Sequence, residues 1–398
     1  MMRMTKLALC LALIPCSTAF AGQHYYEARS DAMGGAAVAS SSLEGAALAN
    51  PALIGFYANK TDDNALLLPV LGADGADKDD MIDKFDNLQD SYDGLDAAIG
   101  AGDVSGVNQY RGELIDDLQA MQNTSAYVNA GFGFALALPT TRIPMAIFLN
   151  TYIDAIGLAA IEQSDIDMLS TIDPLNPPQL NDLDSAGIVA AGSTTDIGVA
   201  FSMPFSIGNM PVTVGISPKI QRVDAYFYAV SANNFEASDF DDDKYRTDET
   251  SFNVDLGIAL QPMEGMTLAL VGKNLISQDV DTLAINNRKV SYQVEPLVTA
   301  GIAYDWSDFT LTSDIDLTEY QSFESLAGTQ YWRVGGEMRP TDWLALRAGY
   351  RHDLEDTTVD IYSVGTGFNV GDAFHFDFTG MFGSDNAVGG VIQTSYYF

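Results

Sequence analysis

The sequence predicts an all-β chain: a transmembrane antiparallel β-barrel of about fourteen strands, with an N-terminal plug segment and a helical insert in the first external loop. Three observations predict it. Segments alternating apolar with polar residues recur from Asn64 to Phe398, and the connections between them are alternately short and long. Beyond the first residues, no apolar run reaches the length of a membrane-spanning helix, so any crossing of a bilayer has to be made by a closed barrel. The sharpest segment runs from Phe374 to Phe382. There Phe374, Phe376, Phe378 and Phe382 share one face, while His375, Asp377 and Thr379 share the other.

The chain opens with basic Arg3 and Lys6, an apolar run from Leu7 to Pro15, and an Ala19-Phe20-Ala21 end. That is the pattern of a secretory signal peptide, residues 1–21, cleaved after Ala21. Its apolar core is too short to span a bilayer. Both cysteines, Cys10 and Cys16, lie within it. Cys16 follows Pro15 rather than the small residue that lipid attachment requires. The exported chain is therefore expected to carry no thiol, which excludes disulfides, thiol catalysis and thiolate metal sites. The formal charge is −35, and −37 once Arg3 and Lys6 are removed, which argues against nucleic-acid binding.

Residues 22–63 are rich in small residues, do not alternate, and contain the turn signal Asn50-Pro51; they are expected to fold into the barrel as a plug. Residues 64–398 are expected to form the barrel. Within them, residues 77–122 form an insert that reads as two polar helices, Asp79 to Ile99 and Val104 to Met121. Met81, Phe85, Leu88, Tyr92 and Leu95 of the first helix fall at helical spacing.

The predicted strands are 64–71, 127–138, 143–160, 186–205, 211–230, 251–261, 267–273, 290–304, 309–318, 330–338, 344–351, 359–370, 374–382 and 389–398. The short connections, such as 139–142, 206–210, 305–308 and 371–373, are rich in Pro, Gly or Asp. The longer ones, such as 72–126, 161–185, 231–250 and 274–289, alternate with them. Short periplasmic turns alternating with longer external loops are the layout of a bacterial outer-membrane barrel. Facing follows from the pleat. Phe309, Leu311, Ile315 and Leu317 oppose Thr310, Thr312, Asp314 and Asp316, and Leu346 and Tyr350 oppose Arg347 and Arg351. The charged face is assigned to the lumen.

Candidate sites are few. Arg333, Arg347 and Arg351, with Lys273, fall on predicted luminal faces and could bind a carboxylate-bearing ligand. They also sit among Asp255, Asp314, Asp316, Glu337 and Asp377, so a mutually neutralised luminal network is the competing reading. If a ligand site exists, an apolar pocket bounded by plug and wall is expected. Histidine is limited to His24, His352 and His375. His375 and Asp377 share a face, which suits either a hydrogen-bonded luminal pair or a carboxylate-oriented imidazole; His352 and Asp353 point to opposite faces. The run Asp239, Asp241, Asp242 and Asp243 reads as a solvated acidic loop, with hard-cation binding as the alternative. No phosphate-binding loop, nucleophile elbow or HExxH occurs. No enzyme activity, metal or cofactor is expected.

The segment from Ala28 to Ala39, which contains Met33-Gly34-Gly35, and the segment from Ala46 to Ala52, which contains Asn50-Pro51, resemble the start of FadL-like outer-membrane proteins. Within that superfamily the chain is similar to the family of the conjugal transfer protein TraF. The resemblance implies a fourteen-stranded barrel with an N-terminal plug, in which Met33, Gly34, Gly35, Asn50 and Pro51 form the plug motif. It also implies a passive channel for small hydrophobic compounds, or else a barrel serving a conjugation or envelope-assembly apparatus without transport. It places the protein in the outer membrane of a Gram-negative bacterium, among lipid and lipopolysaccharide. The implied partners are the barrel-assembly machinery, recognising Tyr396 and Phe398, a hydrophobic small molecule, and an envelope protein.

Overall fold

The structure, a computed structural model, describes residues 25–58, 63–78, 80–140, 142–175, 183–231, 245–284, 289–324, 326–371 and 373–398. The expected signal peptide with Cys10 and Cys16, His24, and the acidic run Asp239, Asp241, Asp242 and Asp243 lie outside the described residues.

The strands are β1 (Ala65–Lys78), β2 (Ser125–Leu138), β3 (Met145–Ala160), β4 (Ala186–Ile207), β5 (Met210–Ser231), β6 (Arg246–Met263), β7 (Met266–Lys273), β8 (Gln278–Asp281), β9 (Ser291–Val294), β10 (Leu297–Trp306), β11 (Phe309–Asp316), β12 (Tyr331–Thr341), β13 (Leu344–Asp353), β14 (Ile361–Val370), β15 (Phe374–Gly383) and β16 (Val388–Tyr397). Fourteen of them form one closed antiparallel barrel, in which β7 pairs with β10 and β16 returns to β1. β8 and β9 make a separate two-stranded ribbon. At the seam the backbones of Asn64 and Phe398 exchange two hydrogen bonds, 2.8 and 3.0 Å long.

The pleat sorts the side chains as the alternation requires. On β11, Phe309 and Leu311 are exposed on the outside, while Thr310, Thr312, Asp314 and Asp316 are buried inside. Phe374, Phe378 and Phe382 of β15 likewise point outward. An outer surface of exposed Ile, Leu, Val and Phe is stable only against hydrocarbon, which is the physical signature of a membrane-facing wall. Near the short-turn end, Tyr396 packs against Phe374 and Phe398, with ring centroids 4.7 and 5.7 Å apart.

The helices fall into two groups. α1 (Ala28–Asp31), α2 (Ala46–Ala49), a 3-10 turn (Pro51–Leu53) and α3 (Ile54–Tyr57) belong to the segment inside the barrel. α4 (Met81–Ala101) and α5 (Val104–Met121) form the insert between β1 and β2, and α6 (Gln163–Ser170) packs against them. α4 stops at Gly102, whose φ of 67° lets its N–H reach back to the Ala98 and Ile99 carbonyls. α5 starts at Asp103, whose carboxylate accepts the Ser105 N–H at 3.0 Å. Leu88 and Leu95 of α4 bury against Val107, Leu114 and Leu118 of α5.

Three departures from the sequence reading have physical causes. β1 does not end at Leu71 but runs on to Lys78. Its second half shows no apolar alternation because Gly72 and Asp74 face a polar interior rather than lipid. The predicted strand 290–304 is two strands, divided at Glu295-Pro296, since Pro296 has no N–H and restricts the residue before it. The loop predicted at 274–289 contains β8, which pairs with β9.

β4 and β5 are 22 residues long, about twice what a tilted bilayer crossing requires. Their far ends rise beyond the barrel wall at the long-loop end. The β8–β9 ribbon packs there: Tyr292, Val280 and Phe323 bury against Ile156, Ile188, Val223 and Phe227. Gly192 makes room for the Tyr292 ring, and the Tyr292 hydroxyl donates to Asp154 Oδ1 at 2.6 Å. The ribbon is therefore held against the inner face of these strand ends.

Candidate functional site

The lumen is occupied by residues 25–58, and the wall is shaped to receive them. Gly34 and Gly35 have φ of 75° and 84°, so the turn after Met33 requires glycine. Across from it stand two wall glycines. A Cβ on Gly349 would lie 2.0 Å from the Gly34 nitrogen, and one on Gly335 would lie 2.4 Å from Met33 Cβ. The Gly34 N–H donates to Ser363 Oγ at 3.0 Å. Asn50 is fully buried; its amide donates to the Val38 carbonyl, and its side-chain oxygen accepts the Ala52 N–H, fixing Pro51 at the start of the 3-10 turn. The sequence-expected plug motif therefore lies inside the barrel, against β6 and β12 to β14.

Polar bonds complete the attachment. Asp314 accepts the Ala37 and Val38 N–H groups at 2.7 and 2.8 Å. Gln393 Oε1 accepts the Ala28 N–H at 3.0 Å, and Thr379 donates to the Ala28 carbonyl at 2.5 Å. Arg29 reaches Glu337 at 2.9 Å. Asp31 lies on the plug helix α1; burial pushes its carboxyl up to about 8, against the lowering effect of the Glu27 N–H that it accepts at 2.8 Å and of the Arg351 charge. The neighbouring Glu27 carboxyl is also raised by burial.

The three candidate arginines take different roles. Arg333 binds Asp316 through both terminal nitrogens, at 2.7 and 3.0 Å. Arg347 bridges Glu337 at 2.6 Å and Asp377 at 2.5 Å. It reaches Asp377 across the intervening β14 because Gly367 there has no side chain; a Cβ would sit 2.5 Å from Asp377 Oδ1 and 2.7 Å from Arg347 Nη2. Arg351 is buried and, among the described residues, makes no hydrogen bond or ion pair, and its Nε is unsatisfied. Its guanidinium lies 5.2 Å from the Tyr331 ring centroid. Asp74, which like Asp31 acts on it from a distance, is already engaged by the Tyr26 hydroxyl and by Asn129. Lys273 donates to the Leu48 carbonyl and stands 4.0 Å from the centre of the Tyr25 ring.

One expectation fails. His375 and Asp377 share a face but form no bond: Asp377 is held by Arg347, the stronger partner, and His375 stacks on Tyr397 with centroids 4.7 Å apart. Between plug and wall lies a gap of about 30 Å³, roughly one water molecule, whose lining mixes Tyr25, Val38 and Leu297 with Lys273, Asp314 and Arg333. A larger apolar recess of about 240 Å³ lies elsewhere, between α4 and the ends of β2 to β4. The sequence signal for it is the apolar stripe Met81, Phe85 and Leu88, whose first reading is packing of the two helices together or onto the rim and whose second is a ligand role.

The class of protein that this architecture defines is a plugged, fourteen-stranded antiparallel barrel. The chain is similar in fold to the Ralstonia pickettii toluene transporter TbuX, with a TM-score of 0.53 and 10% identity over 94% of this chain and 98% of that one. It is likewise similar to a Pseudomonas aeruginosa FadL homologue, with a TM-score of 0.50 and 13% identity over 94% and 99% of the two chains. The Pseudomonas putida toluene transporter TodX gives a TM-score of 0.50 and 10% identity over 94% and 97%. None of the curated proteins compared with the chain is similar to it in sequence. The chain belongs to the family described as F plasmid transfer operon, TraF, protein, whose model matches residues 47–316.

Proposed function

We propose that the protein is a passive, non-enzymatic channel of the Gram-negative outer membrane for small hydrophobic compounds, exported by a cleaved signal peptide. The observation that carries this reading is the stopper of residues 25–58, attached to the wall by side-chain bonds and glycine contacts rather than by a shared sheet. A barrel meant only to be solid can fill its interior with wall side chains; a separate segment seated in the lumen can be displaced. The folds it resembles include those of two toluene transporters, which supports the same reading. Arg351, whose side chain has no carboxylate bonded to it among the described residues, is the group we assign to contact a permeant, while Arg333 and Arg347 tie wall strands to one another. Tyr396 and Phe398 are the residues we assign to recognition by the barrel-assembly machinery, and lipid with lipopolysaccharide is the surrounding partner.

Uptake of labelled toluene and of a labelled long-chain fatty acid by a deletion strain tests the channel. Uptake of at least one should fall and return with the wild-type gene. Unchanged uptake across a broad hydrophobic panel would overturn the proposal. The family match favours a second reading, a barrel accessory of conjugation or envelope assembly with its own envelope partner. Normal mating frequency in the deletion strain would count against its conjugation form.

A further inference from the structure

We infer that the recess between α4 and the outer face of β2 to β4 is a binding site for a small uncharged hydrocarbon of about one aromatic ring. Most of the strand lining of the recess belongs to the outer face of the wall, while Leu158, Ala186 and Ile188, of the inward parity, also border it. Ala126, Gly157, Ala159, Gly187 and Val189 line it and share the strand parity of Val128, Ile153 and Ile197, which are exposed on the outside of the wall. Register puts them side by side: Ala126 opposite Gly157, Gly157 opposite Val189, and Ala159 opposite Gly187. Where the wall elsewhere presents Ile and Phe, here it presents mostly Ala and Gly, and the missing side chains make a depression. Met81, Phe85 and Leu88, at helical spacing on α4, form the roof.

The chemistry of the lining selects the occupant. Ser185 is the polar residue among those that border the recess, and it is already committed. Its hydroxyl accepts the Glu162 N–H at 3.0 Å, and its own N–H donates to Asp165 at 2.6 Å. Among the described residues no cation borders the recess, so a carboxylate would be buried there unpaired, at a cost of several kcal/mol. An occupant must therefore bring neither charge nor hydrogen-bonding groups. Size sets the other bound. A dry apolar cavity of about 150 Å³ accepts benzene, so about 240 Å³ accommodates a ring with a short alkyl substituent. A Cβ on Gly157 would meet Met81 Cε at 3.7 Å, an ordinary contact, so a longer side chain at that position would take up the space beneath the roof. Met81 and Met121 give the lining the adaptability that thioethers bring to apolar sites. The site stands or falls independently of conduction through the lumen.

The test is fluorine NMR of para-fluorotoluene with the full chain in lipid nanodiscs, against empty nanodiscs. Wild type should show saturable binding above lipid partitioning. Gly157→Leu and, separately, Ala159→Leu should each weaken it at least tenfold by filling the floor, with folding checked by the heat-dependent gel shift of each variant. Phe85→Ala should retain binding and shift preference toward fluoronaphthalene. Binding that never saturates would overturn the inference. So would saturable binding that survives both filling substitutions, because the hydrocarbon would then sit in the lumen. Absence of binding, together with a tightly held lipid released by Gly157→Leu in native mass spectrometry, would assign the recess to an acyl chain and also overturn it.

Discussion

Arg333 and Arg351 stand directly opposite each other across the β12–β13 ladder, and their guanidinium groups lie 5.0 and 5.2 Å from the same Tyr331 ring. Like charges facing across a ladder are destabilising unless neutralised. Arg333 is neutralised by Asp316, while Arg351 has no carboxylate bonded to it among the described residues. Arg333→Met should therefore cost about 3–5 kcal/mol, since it strands a buried carboxylate. Arg351→Met should stay within about 1 kcal/mol of wild type, as it removes ring contact and repulsion together. Urea unfolding midpoints of the two variants in the same lipid check the contrast; equal losses would refute it.

The glycine seats of the plug make a second prediction. Gly349→Val places a side chain where the Gly34 backbone lies, so residues 25–58 should leave their seat while the wall persists. Limited proteolysis should then cut within residues 25–58 of the variant at least tenfold faster than in wild type. Gly112→Ala in α5, where a Cβ meets nothing within 4 Å, should instead stabilise the insert by about 0.5–1 kcal/mol.

Attachment of the plug should weaken as pH rises. The Asp31 carboxyl is raised to about 8 in the seated plug and returns to about 4 when freed. The seated form therefore holds a proton that the free form has lost across that window. Seating is tightest below about pH 4, declines as pH rises toward about 8, and levels off above it. Glu27, also raised by burial and facing the same helix, adds a decline of the same sign. Asp31→Asn keeps an acceptor for the Glu27 N–H and should flatten most of the slope. Hydrogen exchange of residues 25–58 from pH 5 to 9, corrected for intrinsic rates, is the measurement.

The ribbon over the mouth should depend on one bond. Tyr292→Phe removes the 2.6 Å bond to buried Asp154, worth about 1.5–3 kcal/mol when one partner is charged. Opening of β8–β9 should become at least about tenfold more frequent. Faster amide exchange confined to residues 278–294 would be the sign, and unchanged exchange would show that the apolar contacts suffice.

The wall was legible because lipid on one side and polar plug on the other write alternation into β11 and β15. The insert helices were legible to within two residues, from the spacing of Met81, Phe85 and Leu88. The second half of β1 was hidden because Gly72 and Asp74 answer to the Tyr26 side chain, not to a periodic pattern. The ribbon strands, four residues each, take their structure from the extended β3 to β5 they cover. Which arginine is left over could not be read from spacing. Arg333 finds an acid 17 positions away and Arg347 one 30 positions away, and that choice depends on register and on the absence of a side chain at Gly367. The recess floor has the same origin, since Ala126, Gly157 and Gly187 become neighbours only once three strands are paired.

The bonds from Ala28 to Thr379 and Gln393 join positions separated by 351 and 365 residues. Ala28 is thus among the first parts of the segment to be synthesised, and its seat is built from strands that come last. Contacts of such sequence separation form slowly, because a long chain must be closed before any of them stabilises it. The segment is therefore expected to remain unstructured until β15 and β16 have joined the sheet, and its docking reports that the barrel is finished. A barrel interrupted before that point would hold an open, solvent-filled bore, so completion of the wall and closure of its interior are a single event.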